Sequence, residues 1–482
     1  MIEIYARIAK GAEYMSNSII NISIEEINQQ KIYAQQVKVI EKVHSSYHVV
    51  TYGCQMNEHD SQKISGMLEN MGFTMAEDRT KADIVIFNTC CIRENANRRA
   101  LGNIIWLKET KKKRPHMLIG VCGCMMEQKG MAEKVLKQYP FIDFALGTGN
   151  LYKLPEILYN VIAGDIRCIR VSEKQSTLVE GLPVVRLAKE KAYISIMQGC
   201  NNYCSYCIVP YVRGRERSRK SADILKEAEA LLKDGVKEIM LLGQNVNSYG
   251  KGTGDMTFPK LLRSLDELGV PRIRFMTSHP KDLSPELIEE YAKSRGLCGH
   301  LHLPVQSGSD RVLELMNRGY DRESYIDKVK ALRKAVPQIG ITSDIIVAFP
   351  TETDEDFEQT LQLVKEIRYD SAFTFVYSPR AGTSAYNMKG KIPKEIATER
   401  IERLIAIQEN ITKEVLKEQL GKTCNVLVEG VSRRDETMLT GKNERNISVN
   451  FTAESKNLLG EIVKVKITDF GSNTLRGIGV EK

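Results

Sequence analysis

Three cysteines fall in one short run, Gln198-Gly199-Cys200-Asn201-Asn202-Tyr203-Cys204-Ser205-Tyr206-Cys207. The spacing C-x3-C-x2-C lets three thiolates wrap one face of a cubane iron–sulfur cluster, which ordinarily takes four cysteines. With three, one iron keeps an open position. An open position is where a substrate binds, by the logic that separates catalytic from structural zinc. Structural zinc is the alternative here. Such sites usually pair two C-x2-C arms at a distance, and no second arm follows.

A second set is dispersed. Cys54, Cys90 and Cys124 each stand at or just past the C-terminal end of a predicted strand. In an open α/β sheet those ends line one crevice, so three thiolates could meet there and hold a second cluster. Cys91 and Cys122 complicate the reading. Neighbours on a regular strand point to opposite sides, so one of each pair is expected to be a bystander. The alternative for all five is burial as small apolar side chains.

The elements that must position these residues follow from the apolar pattern. The 482 residues are too many for one compact domain and suggest about three. Residues 1–45 are polar and read as an extension or loosely packed arm, with Met15 a further start candidate. From 46 to 165 strands at His48–Tyr52, Ile84–Phe87, Met117–Val121 and Phe144–Leu146 alternate with helices, which predicts a doubly wound α/β domain. Residues 151–186 carry few signals and read as a connection. A second alternating series fills 186–415. Its strands are Tyr193–Met197, Ile239–Leu242, Ile273–Met276, Leu301–Val305, Ile341–Val347 and Phe373–Tyr377, and six units predict a partial (β/α)6 barrel. One of its helices opens on a capping box at Thr353 and Asp356. A long helix over Lys394–Leu420 stops at Gly421. Residues 416–482 then alternate at Val426–Val428, Ser448–Phe451 and Ile462–Ile467 between glycines, which predicts a small antiparallel β-barrel.

Composition excludes some classes. Hydrophobic residues are 42% and charged residues 27%, as in ordinary globular chains. No apolar run approaches the roughly 20 residues that span a bilayer. Met1 to Gln29 lacks a basic head followed by an apolar core, so no secretion signal is read, and a reducing cytoplasmic setting is expected. Eleven cysteines in that setting favour metal binding or redox chemistry over disulfides. A net charge of +8 permits a nucleic-acid partner without requiring one.

The 200–207 motif after the first strand of a partial barrel resembles the radical S-adenosylmethionine (SAM) superfamily. Thr51-Tyr52-Gly53-Cys54-Gln55-Met56-Asn57, Asn88-Thr89-Cys90 with Ile92-Arg93-Glu94, and Gly123-Cys124 with Gln128 resemble the methylthiotransferase family. The match runs from about Tyr47 to the end. Within the family, Tyr-Gly-Cys-Gln-Met-Asn at 52–57, the run Pro210–Arg219, Gly243–Tyr249 and Thr277-Ser278-His279-Pro280 resemble the branch that modifies prenylated adenosine in transfer RNA. Siblings act on threonylcarbamoyl-adenosine or on a ribosomal protein. Cys91 and Met125-Met126-Glu127 depart from the family pattern, and residues 1–45 are unmatched.

The resemblance implies two [4Fe-4S] clusters, one on Cys200, Cys204 and Cys207, the other on Cys54, Cys90 and Cys124. It implies that the open iron of the first binds SAM, whose cleavage releases a 5′-deoxyadenosyl radical. It implies methylthiolation at C2 of N6-dimethylallyladenosine at position 37, beside the anticodon, with two SAM per turnover. Expected partners are the tRNA anticodon stem-loop and a low-potential flavodoxin-type electron donor, and the expected state is a monomer.

Strand ends of the barrel should supply polar contacts to SAM. Candidates are Gln244 and Asn245 after the second strand, Ser278 and His279 after the third, and Gln306 and Ser307 after the fourth. The resemblance places the first pair near the methionine amine and the last near the ribose. No residue is singled out as catalytic acid or base, and His279 alone is weak evidence. For RNA, Arg213, Arg215, Arg217 and Arg219 form a basic stretch that could grip phosphate. Arg433, Arg434, Lys442 and Arg445 decorate the last barrel, which resembles the TRAM domain. Lys111–Arg114 reads as a solvated helix end.

Overall fold

The computed structural model describes residues 20–40, 44–91, 94–164, 167–171, 177–455 and 457–480. Met15 and the Ile92-Arg93 step of the family motif lie outside the described residues.

Six parallel strands make the first sheet, in the spatial order Thr74–Met75, Ser46–Thr51, Ile84–Thr89, Leu118–Gly123, Phe144–Leu146 and Cys168–Arg170. The central strands Ile84–Thr89 and Leu118–Gly123 are buried along their whole length. Helices cover both their faces, which is why they read as apolar runs rather than alternations. The order in which strands are added reverses at Ser46–Thr51, with Thr74–Met75 on one side and Ile84–Thr89 on the other. That is the topological switch point, outside whose carboxyl ends ligands bind in such sheets.

Two stretches depart from expectation. Residues 154–164 form a helix and Cys168–Arg170 an edge strand, where the sequence suggested a plain connection. Residues 24–40 form a helix that packs on Leu154–Gly164, where a loose arm was expected. Ala34 and Val37 are buried in that contact, and Tyr152 Oη donates to Glu26 at 2.6 Å. The helix buries only a narrow seam, so its many polar residues hid it.

The middle of the chain is the expected six-stranded open barrel. Lys191–Ser195, Glu238–Leu242 and Arg272–Phe275 form one parallel half, and His300–His302, Gly340–Val347 and Ser371–Val376 the other. An Ile273–Leu297 bridge links the halves. Ala192, Ile194, Ile239, Leu241, Ile273 and Phe275 point outward into the helix layer. The alternate residues Lys191, Tyr193, Glu238, Met240, Arg272 and Arg274 face inward, as the two-residue period of a strand requires. The lumen is therefore polar. Thr353 and Asp356 form the expected capping box.

The last domain is a closed five-stranded barrel, ordered Thr423–Val431, Leu439–Asn443, Ser448–Thr452, Thr474–Gly479 and Ile462–Phe470. Leu439–Asn443 and Thr474–Gly479 were not read from the sequence. The Ser448–Thr452 and Thr474–Gly479 pair is parallel, so the barrel is not purely antiparallel. It seats on the lumen side of the central barrel. Arg272 donates to the carbonyls of Lys442 and Asn443 at 3.0 and 3.1 Å, and Arg274 to that of Glu444 at 3.1 Å. Glu238 holds both arginines at 2.9 and 2.7 Å.

Candidate two-centre active site

The 200–207 loop leaves the first barrel strand through a tight turn. Gly199 has φ +81°, and a Cβ there would lie 1.9 Å from the Arg215 carbonyl oxygen. Only glycine fits such a backbone approach. Gln244 accepts from the Gly199 amide, and Ser205 Oγ donates to the Leu315 carbonyl at 2.7 Å. Cys200 and Cys204 are buried. Burial, with repulsion between the neighbouring thiolates, pushes Cys200 up to about 11 and Cys207 up to about 12. Metal binding suits such crowded thiols, because a coordinated thiol is deprotonated outright. Arg318, which the sequence did not single out, donates to Cys204 Sγ at 3.3 Å and to the Pro304 carbonyl at 2.7 Å.

Around this loop several buried polar atoms find no partner among the described residues. They are Asn245 Oδ1, Ser278 Oγ and His279 Nε2, at the ends of the second and third strands. Buried polar groups are nearly always satisfied, so three orphans at one end of a barrel mark a place for a polar ligand. Other candidates are engaged. Gln244 braces the Gly199 turn. Asn245 Nδ2 donates to Asp282 at 2.7 Å. Ser307 Oγ accepts from the Ser309 amide at 3.2 Å and contacts Thr360. Gln306 is buried with φ +72°, a left-handed turn into the ligand end of the fourth strand. His279 Nδ1 accepts from the Lys281 amide, and burial with the nearby Arg318 charge lowers its imidazole pKa.

The dispersed cysteines are placed by the sheet. Cys54 caps the helix Gln55–Asn70, Cys90 follows Ile84–Thr89, and Cys124 follows Leu118–Gly123. Gly53 lies against Cys90, where an added Cβ would come within 2.9 Å of the Cys90 Cβ. Gly123 packs on the next strand end, 2.2 Å from the Thr89 carbonyl oxygen by the same measure. Buried amides tie the crevice floor. Asn57 Nδ2 donates to Asn88 Oδ1 at 3.1 Å and to the Thr89 carbonyl at 3.0 Å, and Asn88 Nδ2 donates back to the Asn57 carbonyl at 2.8 Å.

Cys122 packs in the sheet core with Ile84 and Phe144. Alternation alone would put residues two apart on one side, but the turn at Gly123, φ +99°, separates Cys122 from Cys124. Cys91 is placed differently. It packs against Cys124, Ile208 and Val212, because residues 90 and 91 lie past the strand where strict alternation has ended. Contact with the Cys91 thiol, together with the Arg213 charge, holds the Cys124 thiol below its ordinary range against its burial. Cys54 is pushed up by burial and by the Cys124 charge.

The basic stretch after the cluster loop requires correction. Of Arg213, Arg215, Arg217 and Arg219, only Arg215 is exposed. Arg213 is buried in the dispersed-cysteine site. Arg217 donates to the Arg213 and Arg215 carbonyls at 3.1 and 3.0 Å, and Arg219 pairs with Glu180 and Glu227. In the last barrel Arg433 and Arg434 are exposed, while Arg445 is taken up by Asp370 at 2.7 Å. Lys111–Arg114 is likewise only partly solvated. Lys111 pairs with Asp143, and Arg114 donates to the Thr80 and Ala82 carbonyls at 2.9 Å.

Among the described residues no three His, Cys, Asp or Glu side chains close round a single ion. Two adjoining cavities, of about 610 and 540 Å³, lie between the three domains and share Gln55, Lys442 and Asn446. Gln55, the residue after Cys54, lines both, and none of the six cysteines lines either. No helix among the described residues is long and apolar enough to cross a membrane.

Known proteins resemble the chain along most of its length. Residues 194–364 match the radical SAM superfamily, 46–147 the uncharacterized protein family UPF0004, and 417–480 the TRAM domain. A tRNA-2-methylthio-N(6)-dimethylallyladenosine synthase of Clostridium perfringens is 53% identical over 424 residues, covering 87% of this chain and 94% of the relative. The Clostridium tetani protein of the same name is 49% identical over 465 residues, covering 96% and 99%. Among solved structures, the radical SAM methyltransferase TsrM of Kitasatospora setae superposes with a TM-score of 0.51 at 14% identity, over 68% of this chain and 72% of that one. That likeness concerns the fold.

Proposed function

Because the chain belongs to the family of tRNA-2-methylthio-N(6)-dimethylallyladenosine synthases, we propose that it inserts a methylthio group at C2 of N6-dimethylallyladenosine at position 37 of tRNA. It is a radical SAM methylthiotransferase that acts on tRNA. Our finer reading is a two-cluster enzyme that uses two SAM per turnover. The observation that carries it is the helix Val209–Arg213, which starts just after Cys207 and ends on Cys124. One short helix thus spans from one cysteine triad to the other.

Cys200, Cys204 and Cys207 would hold a [4Fe-4S] cluster, which would supply the electron for SAM cleavage, and Cys54, Cys90 and Cys124 would hold a second, which would supply the sulfur site. The C2 carbon bears an unactivated hydrogen, which gives acid–base chemistry no foothold. The chain's own residues position the partners. Gly199 and Gln244 fix the cluster loop. Asn245 Oδ1 and Ser278 Oγ face SAM as its polar partners, with Gln306 on the ribose side and Ser307 bracing that loop. The cavities beside Gln55 take the flipped-out adenosine, because a base held in a stack cannot be reached. Exposed Arg215, Arg433 and Arg434 grip phosphates of the anticodon stem-loop. A flavodoxin-type donor supplies electrons to a monomeric enzyme in the cytoplasm, where tRNA is found and free thiols persist.

Nucleoside mass spectrometry of tRNA from cells lacking the gene tests the reading. Loss of the methylthio group with the prenylated adenosine retained is the expected result. An unchanged methylthio content would contradict it, and loss from threonylcarbamoyl-adenosine instead would assign the chain to a sibling.

A further inference from the structure

Arg213 belongs to the radical SAM domain, yet its guanidinium is buried in the crevice of the first domain. Its Nε donates to Cys124 Sγ at 3.2 Å, and its Nη2 to Asp60 Oδ2 at 2.8 Å. Both charged side chains are only 4% exposed. Ile208 and Val212, on the same turn, pack against Cys91 and Cys124 and shut water out. The Arg217 guanidinium clamps the Arg213 carbonyl at 3.1 Å.

A buried guanidinium is costly to desolvate, and its pair with Asp60 alone would leave the site neutral. The Nε–H is aimed at sulfur. Hydrogen bonds to ligand sulfurs and the net local charge are the terms through which a protein sets a cluster's reduction potential. Inside a dry site both act with little screening.

We propose that Arg213 is a positioning residue that sets the reduction potential of the auxiliary cluster on Cys54, Cys90 and Cys124 from the neighbouring domain. Its charge and its N–H···S bond favour the reduced, more negative cluster and so raise the potential. Asp60 orients the guanidinium and offsets part of its charge. Because Arg213 is joined to Cys207 through one helical turn, any shift of the 200–207 loop on SAM binding also moves this bond. The inference rests on the two-cluster reading.

The test uses the full chain with Cys200, Cys204 and Cys207 replaced by Ala, so that only the auxiliary cluster remains, and follows its potential by electron paramagnetic resonance. Arg213→Met should lower the potential, Asp60→Asn should raise it, and Arg213→Lys should fall between Met and the parent. Opposite signs for the two neutralisations separate charge tuning from structural damage, which would move both the same way. Shifts of the same sign, or none, overturn the inference. Should Arg213→Met fail to hold iron, Arg213→Lys and Asp60→Asn still must move the potential in opposite directions. A parent that holds no iron overturns the two-cluster reading itself.

Discussion

The two cysteine sites are built in different ways. Cys200, Cys204 and Cys207 share one loop, pinned by a glycine turn and by Gln244, Ser205 and Arg318. Cys54, Cys90 and Cys124 come from three strand ends spread over some seventy residues, and no loop holds them together. The first site is local chemistry attached to a scaffold. The second exists only when the sheet is folded and the radical domain has delivered Arg213 to it. Displacing the loop can leave its domain folded, whereas displacing a strand end disturbs the sheet itself. The two should also fail separately in catalysis.

The largest effect follows from the catalytic division. Cys204→Ala should reduce SAM cleavage to background. Cys124→Ala should leave cleavage measurable while abolishing the methylthio product. Chromatography of 5′-deoxyadenosine alongside the modified nucleoside reads both. Loss of cleavage in both variants would dissolve the distinction.

Glycine substitutions sharpen the comparison structurally. Gly123 has φ +99° and abuts the Thr89 carbonyl, so Gly123→Ala should cost roughly 2–4 kcal/mol and strip iron from the first domain. Gly199→Ala should displace the 200–207 loop and lose its iron with little change in Tm. Iron analysis with thermal unfolding separates the two. A large fall in Tm for Gly199→Ala would contradict the loop picture.

The network between the barrels is a third kind of assembly. Burial pushes the Glu238 carboxyl up, but Arg274 and Arg272 outweigh it and hold it at about 2, against an ordinary 4.5. Because the folded carboxyl titrates below the unfolded one, its stabilisation, on the order of 3 kcal/mol, is whole above pH 4.5 and fades as pH falls towards 2. Glu238→Gln should flatten that part of the stability–pH curve, and Arg274→Ala should cost about 3 kcal/mol in denaturant unfolding while leaving both cysteine sites loaded. The smallest effect belongs to the exposed Arg476–Asp469 pair at 2.7 Å, where Arg476→Ala should change stability by less than about 1 kcal/mol.

Legibility in the sequence followed the same division. The 200–207 site could be read directly because its spacing is contiguous. The strand-end placement of Cys54, Cys90 and Cys124 could be read because apolar runs mark the strands, while the choice of Cys90 over Cys91 and of Cys124 over Cys122 came from the family resemblance. What escaped was set by partners distant in sequence. Arg213 looked like a phosphate grip because nothing in Arg-Gly-Arg-Glu-Arg-Ser-Arg tells which guanidinium turns inward. Arg318 carries no motif, and its contact with Cys204 depends on the closure of the barrel. The helix at 24–40 was hidden because a narrow buried seam leaves a mostly polar sequence. Leu439–Asn443 and Thr474–Gly479 are short strands rich in glycine and polar residues, stabilised by barrel closure more than by their own pattern.

The central claim is that the chain carries two separate clusters. The most direct measurement is iron and acid-labile sulfide in anaerobically reconstituted wild type and in two triple variants, one with Cys200, Cys204 and Cys207 replaced by Ala, the other with Cys54, Cys90 and Cys124 replaced. The account predicts about eight irons in the wild type and about four in each variant. About four in the wild type, with none remaining after loss of one triad and no change after loss of the other, would contradict it.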